Sequence, residues 1–396
     1  MRFLTAGESH GEGIISILEG FPKGVKIETY FIDRELARRK SGYGRGDRMQ
    51  IEEDKVEILS GLRNKITLGS PICMLVRNKD KKIFTQEKDF LPPLSVPRPG
   101  HTDLAGCLKY EEKDIRNILE RTSARETVSR VCIGAVCKQF LNNFNVNLGS
   151  FVVGVGKIIS SYKPKSVREI IEKTSSSKLN CIDREKEKLM IKEIEKAKAE
   201  GDTLGGIVEV WADNVVYGLG SGWHWDRRLD AKIAYYLMSI PSVKTVEIGG
   251  GINYAQSRGS QSHDAICFSK SRSKLGLKNC FFRKSNNAGG IEGGISNGET
   301  IVVRIAAKPI PTLINPLSSV NLSNKKAEKA IVERSDICVI GALGVIAESM
   351  LAIALTEAFL DKFGSDTLKE IMRNYKSYVK ANFYDFMNLL PPISTL

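Results

Sequence analysis

The sequence predicts a mixed α and β fold, and two observations carry that prediction. Runs rich in β-branched residues recur at Gly13 to Leu18, Ile72 to Arg77, Val146 to Val155, Ile207 to Trp211, Val243 to Ile248 and Ile301 to Ala306, each of a length that suits one strand. Between them lie segments whose apolar residues return every 3.6 positions, as on one face of a helix. No repeat of 20 to 50 residues is visible, so a solenoid or propeller is excluded.

Taken along the chain, the first helical pattern runs from Ser123 to Phe140, with Ala124, Val128, Val131, Cys132, Ala135, Val136 and Phe140 on its apolar face. Ser123 and Glu126 have the spacing of a capping box at its head. The flanking Arg121 and Arg125 would make that helix start an anion site. Residues 165–201 differ, because charge dominates and only Met190, Ile194 and Ala197 form an apolar stripe. With Ser166 and Glu169 as a second capping box, this segment reads as a charged helical rim. A further helix starts near Asp226 and carries Leu229, Ile233, Leu237 and Ile240, and a last one carries Val345, Ile346, Met350, Ile353 and Ala354. Glu348 interrupts the longest apolar stretch, Ile337 to Leu355, and the first residues lack the apolar run of an export signal. The chain is therefore expected to be soluble and cytoplasmic, with no membrane partner.

The net charge of +13 calls for an anionic partner. Nucleic acid is one such class, but it requires aromatic side chains among the basic ones for base stacking. Only Tyr43 stands among the arginines of residues 38–48, and none stands in 121–130, so no nucleic-acid partner is expected. Small ligands bearing phosphate and carboxylate fit better. In Arg38-Arg39-Lys40-Ser41-Gly42-Tyr43-Gly44-Arg45-Gly46-Asp47-Arg48, glycines free the backbone and arginine forks match such anions, which reads as a mobile anion clamp. Residues 286–298 hold five glycines but lack the strand, helix and acidic residue of a dinucleotide fingerprint. The eight cysteines include no Cys-x-x-Cys pair and read as free thiols of a reducing compartment.

Only four histidines occur, each inside a distinctive motif: Glu8-Ser9-His10-Gly11, Arg98-Pro99-Gly100-His101-Thr102-Asp103, Trp223-His224-Trp225 and Ser262-His263-Asp264. Their spacing does not suit a histidine metal site, and none is expected. His10 and His101 sit in tight turns where a ring can exchange protons with a ligand. His224 reads equally well as packing between its tryptophans.

In this order, the blocks Gly7 to Gly11, Gly42 to Gln50, Arg98 to Asp103, Arg121 to Thr127, Asp226 to Asp230, Arg258 to Asp264, Asn287 to Glu299 and Glu333 to Asp336 resemble the chorismate synthase family. The resemblance covers Met1 to about Gly364, which implies a single domain, 1–364, including the rim at 165–201, and a C-terminal tail, 365–396. It implies an α+β fold with a helical layer sandwiched between antiparallel β-sheets, and a homotetramer built as a dimer of dimers. The implied reaction is a lyase reaction, the 1,4-anti elimination of phosphate from 5-enolpyruvylshikimate-3-phosphate to chorismate, the last common step of the shikimate pathway. Reduced FMN is the implied cofactor, and NADPH enters only as an external reductant.

The resemblance also implies residue roles. His10 and His101 would protonate the leaving phosphate and the reduced flavin, in either assignment, and Asp336 would work beside flavin N5. Arg39, Arg45, Arg48, Arg125 and Arg334 would hold substrate anions or lie beside the flavin. Arg121, Thr122, Ser123, Pro241, Ser242, Gly293, Lys308, Pro309, Ile310, Pro311, Thr312 and Arg334 would form the flavin site. Pro241-Ser242 replaces the Asn-Ala pair common in the family, which leaves a backbone contact there. A flavin oxidoreductase making net hydride transfers is the competing enzyme class, and it lacks a nicotinamide fingerprint here.

Overall fold

The computed structural model describes residues 1–46, 52–79, 93–269, 281–333 and 336–380. Strands β1 (Arg2–Ala6), β2 (Gly13–Glu19), β3 (Val56–Ser60) and β4 (Ile72–Arg77) pair antiparallel in the order β1-β2-β4-β3. A second antiparallel sheet contains β5 (Asn147–Val155), β6 (Ile158–Ile159), β7 (Gly206–Asp213), β8 (Val243–Ile248) and β9 (Ile301–Ala307), in the order β8-β9-β7-β5-β6. Among the described residues, the helices of eight residues or more are α1 (Thr29–Lys40), α2 (Asp103–Tyr110), α3 (Ile115–Thr122), α4 (Thr127–Asn142), α5 (Val167–Thr174), α6 (Arg184–Glu200), α7 (Leu229–Met238), α8 (Ile340–Phe363) and α9 (Leu368–Lys380).

The layers follow from where apolar side chains point. In β9, Ile301, Val303, Ile305 and Ala307 are buried while the alternate residues are partly exposed, the period-two pattern of a sheet with one covered face. β5 is instead buried on both faces, which explains its continuous apolar run. Val152 and Val155 join the main core, whereas Phe151 and Val153 pack with Ile170 and Ile182 on the other side, where α5 lies. Helix α4 packs on β2 and β4 of the first sheet, α8 packs on β5 and β7 of the second, and the two helices pack on each other. The fold is thus α+β, with helices between two antiparallel sheets.

Helix α8 is long and apolar enough to cross a membrane, yet 94% of its apolar window is buried inside the protein. It is a core helix, apolar all round because neighbours surround it. Its approach to α4 requires a glycine: a Cβ on Gly134 would lie 2.2 Å from Ser349 Cβ. Glu348, one residue earlier, is fully buried. It accepts both terminal nitrogens of Arg38 on α1 at 2.8 Å, Lys138 Nζ on α4 at 2.5 Å and Ser150 Oγ on β5 at 2.6 Å. Glu35 accepts Arg38 and Lys138 as well, so two carboxylates meet two cations. Burial opposes ionisation of Glu348, but Arg38 and Lys138 outweigh it and hold the carboxyl below its usual range.

Two sequence expectations differ in detail. Ser123 does not form a reciprocal capping box. Its Oγ accepts Arg125 N at 3.3 Å at the head of a short 3-10 turn, Ala124–Glu126, and α4 begins only at Thr127. The Glu126 carboxylate is drawn away to Arg130 at 2.8 Å and to Thr5 Oγ1. The segment expected as a tail holds α9, whose Tyr375 packs against Phe144, Phe359 and Phe363, while residues 381–396 lie outside those described.

Replacing Glu348 by Ala leaves Arg38 and Lys138 to share Glu35 alone, with one carboxylate for two cations, and should lower stability by about 3 kcal/mol. A lower urea midpoint, partly restored by adding Lys138→Met, is the expected measurement.

Candidate active site

The last turn of α1 sends three consecutive basic side chains in three directions, as a helix advancing 100° per residue must. Arg38 enters the network around Glu348, Lys40 bonds the Glu52 carbonyl, and Arg39 turns into a cavity of about 530 Å³. There Arg39 Nη2 lies 3.0 Å from Asp54 Oδ2, and Arg125 Nη1 lies 2.6 Å from Asp54 Oδ1. Arg125 also donates to Asn78 Oδ1 at 2.9 Å and reaches Glu52 at 3.4 Å. One aspartate therefore serves two guanidiniums.

Burial pushes the Arg39 guanidinium down to about 10, with Asp54 opposing and its like-charged neighbours Arg125 and Arg45 adding to the push. It stays protonated at neutral pH, and it shares Asp54 with Arg125. Among the described residues, the buried Nε atoms of Arg39 and Arg45 have no hydrogen-bond partner. A buried donor without an acceptor is costly, and a ligand oxygen would supply one.

Around this cluster, among the described residues, the cavity wall presents six Lys and Arg side chains (Arg39, Arg45, Arg98, Arg125, Lys244 and Lys308) and two carboxylates, Glu333 and Asp336. Glu52, Asp54 and Asp103 stand behind the arginines with fully buried side chains. Cations thus face the cavity and anions anchor them from the rear. Burial and then Lys244 lower the pKa of Lys308, whose ammonium bonds the Gly100 carbonyl.

Both histidines of interest line this cavity, each backed by a buried carboxylate. His10 Nδ1 lies 2.8 Å from Glu120 Oε1, and His10 N donates to Glu120 Oε2 at 2.8 Å. His101 Nδ1 lies 2.5 Å from Asp103 Oδ1, and Asp103 is also gripped by Arg98 through Nε at 2.8 Å and Nη2 at 3.0 Å. Burial opposes ionisation of Asp103, but hydrogen bonds from His101 and Arg98 hold its carboxyl well below the usual range. Arg98 Nη1 also reaches Thr312 Oγ1 at 2.9 Å, tying the His101 turn to the segment after β9.

The basic glycine loop is pinned where it is described, rather than mobile. Tyr43 N donates to Lys178 O and Tyr43 Oη to Glu195, while the Gly44 carbonyl accepts Ile337 N at 2.8 Å. Gly44 has φ of 88°, and a Cβ there would meet Cys338 Cβ at 3.1 Å, so glycine is needed twice over. Gly46 N donates to Asp336 Oδ1 at 2.6 Å, and Arg45 Nε lies 3.5 Å from the same oxygen. These contacts bring Asp336 to the cavity beside Arg45.

A model of the chorismate synthase family matches residues 1–360. The chain is 49% identical over 386 residues to the chorismate synthase of Alkaliphilus metalliredigens, covering 95% of this chain and 99% of that one. It is 48% identical over 394 residues to that of Aquifex aeolicus, with 96% and 97% covered. A crystal structure of chorismate synthase superposes with a TM-score of 0.76 at 40% identity, covering 96% and 97% of the two chains. The chain belongs to the chorismate synthase family. Its reaction is a lyase reaction that yields chorismate, in the shikimate pathway, and membership implies a flavin requirement.

Of the site residues expected from the sequence, His10, Arg39, Arg45, His101, Thr122, Ser123, Arg125, Pro241, Ser242, Lys308, Ile310, Pro311, Thr312 and Asp336 meet at this one cavity. Arg48 and Arg334 lie outside the described residues. Arg121 and Pro309 are exposed and do not line it; Arg121 is spent on the carbonyls of Thr5 and Gly7. Gly293 sits on a hairpin whose Gly294 carbonyl accepts Leu229 N at the start of α7, whereas the cavity lies past the other end of α7, at Ile240 to Ser242. Ten helical residues separate the two by about 15 Å. His224 does not pack between tryptophans, since Trp223 and Trp225 are 95% and 83% exposed. Asp264 does not pair with His263; it holds Ser285 and the amides of Asn287 and Ala288.

Sequence reading missed Glu120, Asp103 and Lys244 as parts of the site, and Asp54, Glu52 and Asn78 behind it. The cavity suits a flavin in character: Leu119, Ile240, Ile310, Pro311, Leu343 and Ile346 offer an apolar wall for a flat ring, and the orphaned guanidinium nitrogens suit an anion.

Asp103→Asn should cost about 2 kcal/mol near neutrality by weakening charge-assisted bonds to His101 and Arg98. Because the folded-state carboxyl lies below its ordinary value of about 3.9, its contribution is complete above that pH and is lost as pH falls below it. The gap between wild type and variant in denaturant midpoint is therefore expected to narrow below about pH 4.

Proposed function

We propose that this cavity binds 5-enolpyruvylshikimate-3-phosphate together with reduced FMN and carries out the 1,4-anti elimination of phosphate. The observation that carries this reading is the convergence of Arg39 and Arg125 on Asp54, with Arg45 beside them on Asp336 and two carboxylate-backed histidines on the same wall. A substrate with two carboxylates and a phosphate matches a crowded guanidinium cluster in which, among the described residues, two buried Nε donors have no acceptor.

Reduced FMN would supply electron density transiently to the substrate and recover it, so that no net redox change results. Thr122, Ser123, Pro241, Ser242, Lys308, Ile310, Pro311 and Thr312 are the residues that would hold it. Arg39, Arg45 and Arg125, joined by Arg48 and Arg334, would orient the substrate's anions. His10 would hand a proton to the departing phosphate, while His101, fixed by Asp103 and Arg98, would keep a proton at the flavin. Asp336, held by Gly46 N, would take part in removing the C6 proton. Gly293, about 15 Å from the cavity along α7, would reach a flavin only across a subunit boundary, in keeping with a homotetramer. The reaction would take place in the cytoplasm, on FMN reduced elsewhere, with NADPH only as an external reductant.

Purified protein mixed anaerobically with substrate and FMN should release phosphate only when dithionite is present. Equal release with and without dithionite, or none in either case, would overturn the reading. His10→Ala and His101→Ala should each slow turnover by ~10² to 10⁴-fold while flavin binding, followed by absorbance, persists.

A further inference from the structure

Glu120 is placed on α3 by the same apolar stripe that buries Ile115, Ile118 and Leu119, so its carboxylate enters the protein beside the turn carrying His10. Only 5% exposed, it is consumed by that turn: its backbone carbonyl accepts Ser9 N at 2.9 Å, Oε2 accepts His10 N, and Oε1 meets His10 Nδ1. A buried carboxylate is costly unless a positive group pairs with it. Among the described residues, His10 is the one ion-pair partner Glu120 has. The other histidine differs, because Asp103 already has the Arg98 guanidinium as its counter-charge. Capping a turn would need only an acceptor, which an amide provides equally well. A buried charge opposite the ring has no use in that role.

We propose that Glu120 is the positioning residue for His10, fixing Nδ1–H and leaving Nε2 as the nitrogen offered to the cavity. The inference rests on the reading of His10 as the general acid. In that step the Nε2 proton passes to a phosphate oxygen as the carbon–oxygen bond breaks and its electron pair leaves with phosphate. Nδ1–H stays bonded to Glu120, and the ring ends neutral. The carboxylate stabilises the charged ring before the transfer and dictates which neutral tautomer remains after it, so that the same nitrogen is recharged for the next turnover.

The test combines kinetics with a measurement that needs no activity. Glu120→Gln should lower kcat by ~10²-fold or more with KM changed less than about threefold, as for an interaction used in the transition state. Glu120→Asp should recover part of the rate.

With four histidines, ¹⁵N-imidazole spectra of the free enzyme are simple, and His10→Ala identifies the His10 pair. In wild type the neutral His10 ring should carry its proton on Nδ1, and in Glu120→Gln the Nε2–H form should gain. Wild-type His10 in the Nε2–H form overturns the proposal even if the variant fails to fold. So does a Glu120→Gln enzyme with unchanged kcat while His10→Ala is slow. Full turnover by His10→Ala would instead remove the general-acid reading beneath it.

Discussion

The arrangement depends first on one carboxylate buried in an apolar helix. Glu348 has contacts from α1, α4 and β5, so it joins the helices of the central layer to the second sheet by charge as well as by packing. Apolar contacts alone resist separation of helices but tolerate rotation about their axes. The bidentate grip on Arg38 does not, because two parallel hydrogen bonds define a direction. Once Arg38 is fixed, Arg39 is turned by about 100° into the cavity. The orientation of the anion-binding cluster is thus set by an ion pair that does not line its cavity.

The cavity itself repeats one plan at five of its side chains, in which a buried carboxylate stands behind a cation or imidazole of the wall. Asp54 stands behind Arg39 and Arg125, Asp103 behind Arg98 and His101, and Glu120 behind His10. This holds long side chains in place before a ligand arrives, and it keeps the cost of their ordering out of the binding step. Where a carboxylate is divided between two guanidiniums, each retains positive character for the ligand to meet.

Much of this was legible in the sequence because it depends on local periodicity. The strands at Ile72–Arg77 and Val243–Ile248 have the bounds their β-branched runs predict, and α8 appears where the apolar residues recur. The glycine and histidine motifs pointed to the segments that meet at the cavity. What escaped was determined by partners distant in the chain. Glu126 has capping-box spacing, but Arg130 and Thr5 compete for it and prevail. Arg121 looked like half of an anion site, yet the carbonyls of residues 5 and 7 claim it. The Tyr43 loop looked mobile from its glycines, and its anchors come from residues 178, 195 and 337. Asp54 and Glu120 lie in no distinctive motif, and their importance exists only once the chain is folded.

Glu348 also bears on when the protein can become itself during synthesis. Its partners Arg38 and Lys138 are made 310 and 210 residues earlier. The strand that completes the middle of the second sheet, β9, and the helix that fills the space between the sheets both lie in the last quarter of the chain. An emerging chain therefore carries two cations with only Glu35 to share, and an open core, until α8 has left the ribosome. The first residues translated hold much of the anion cluster, but they can be oriented only near the end, so a prematurely terminated chain would lack the ordered site altogether.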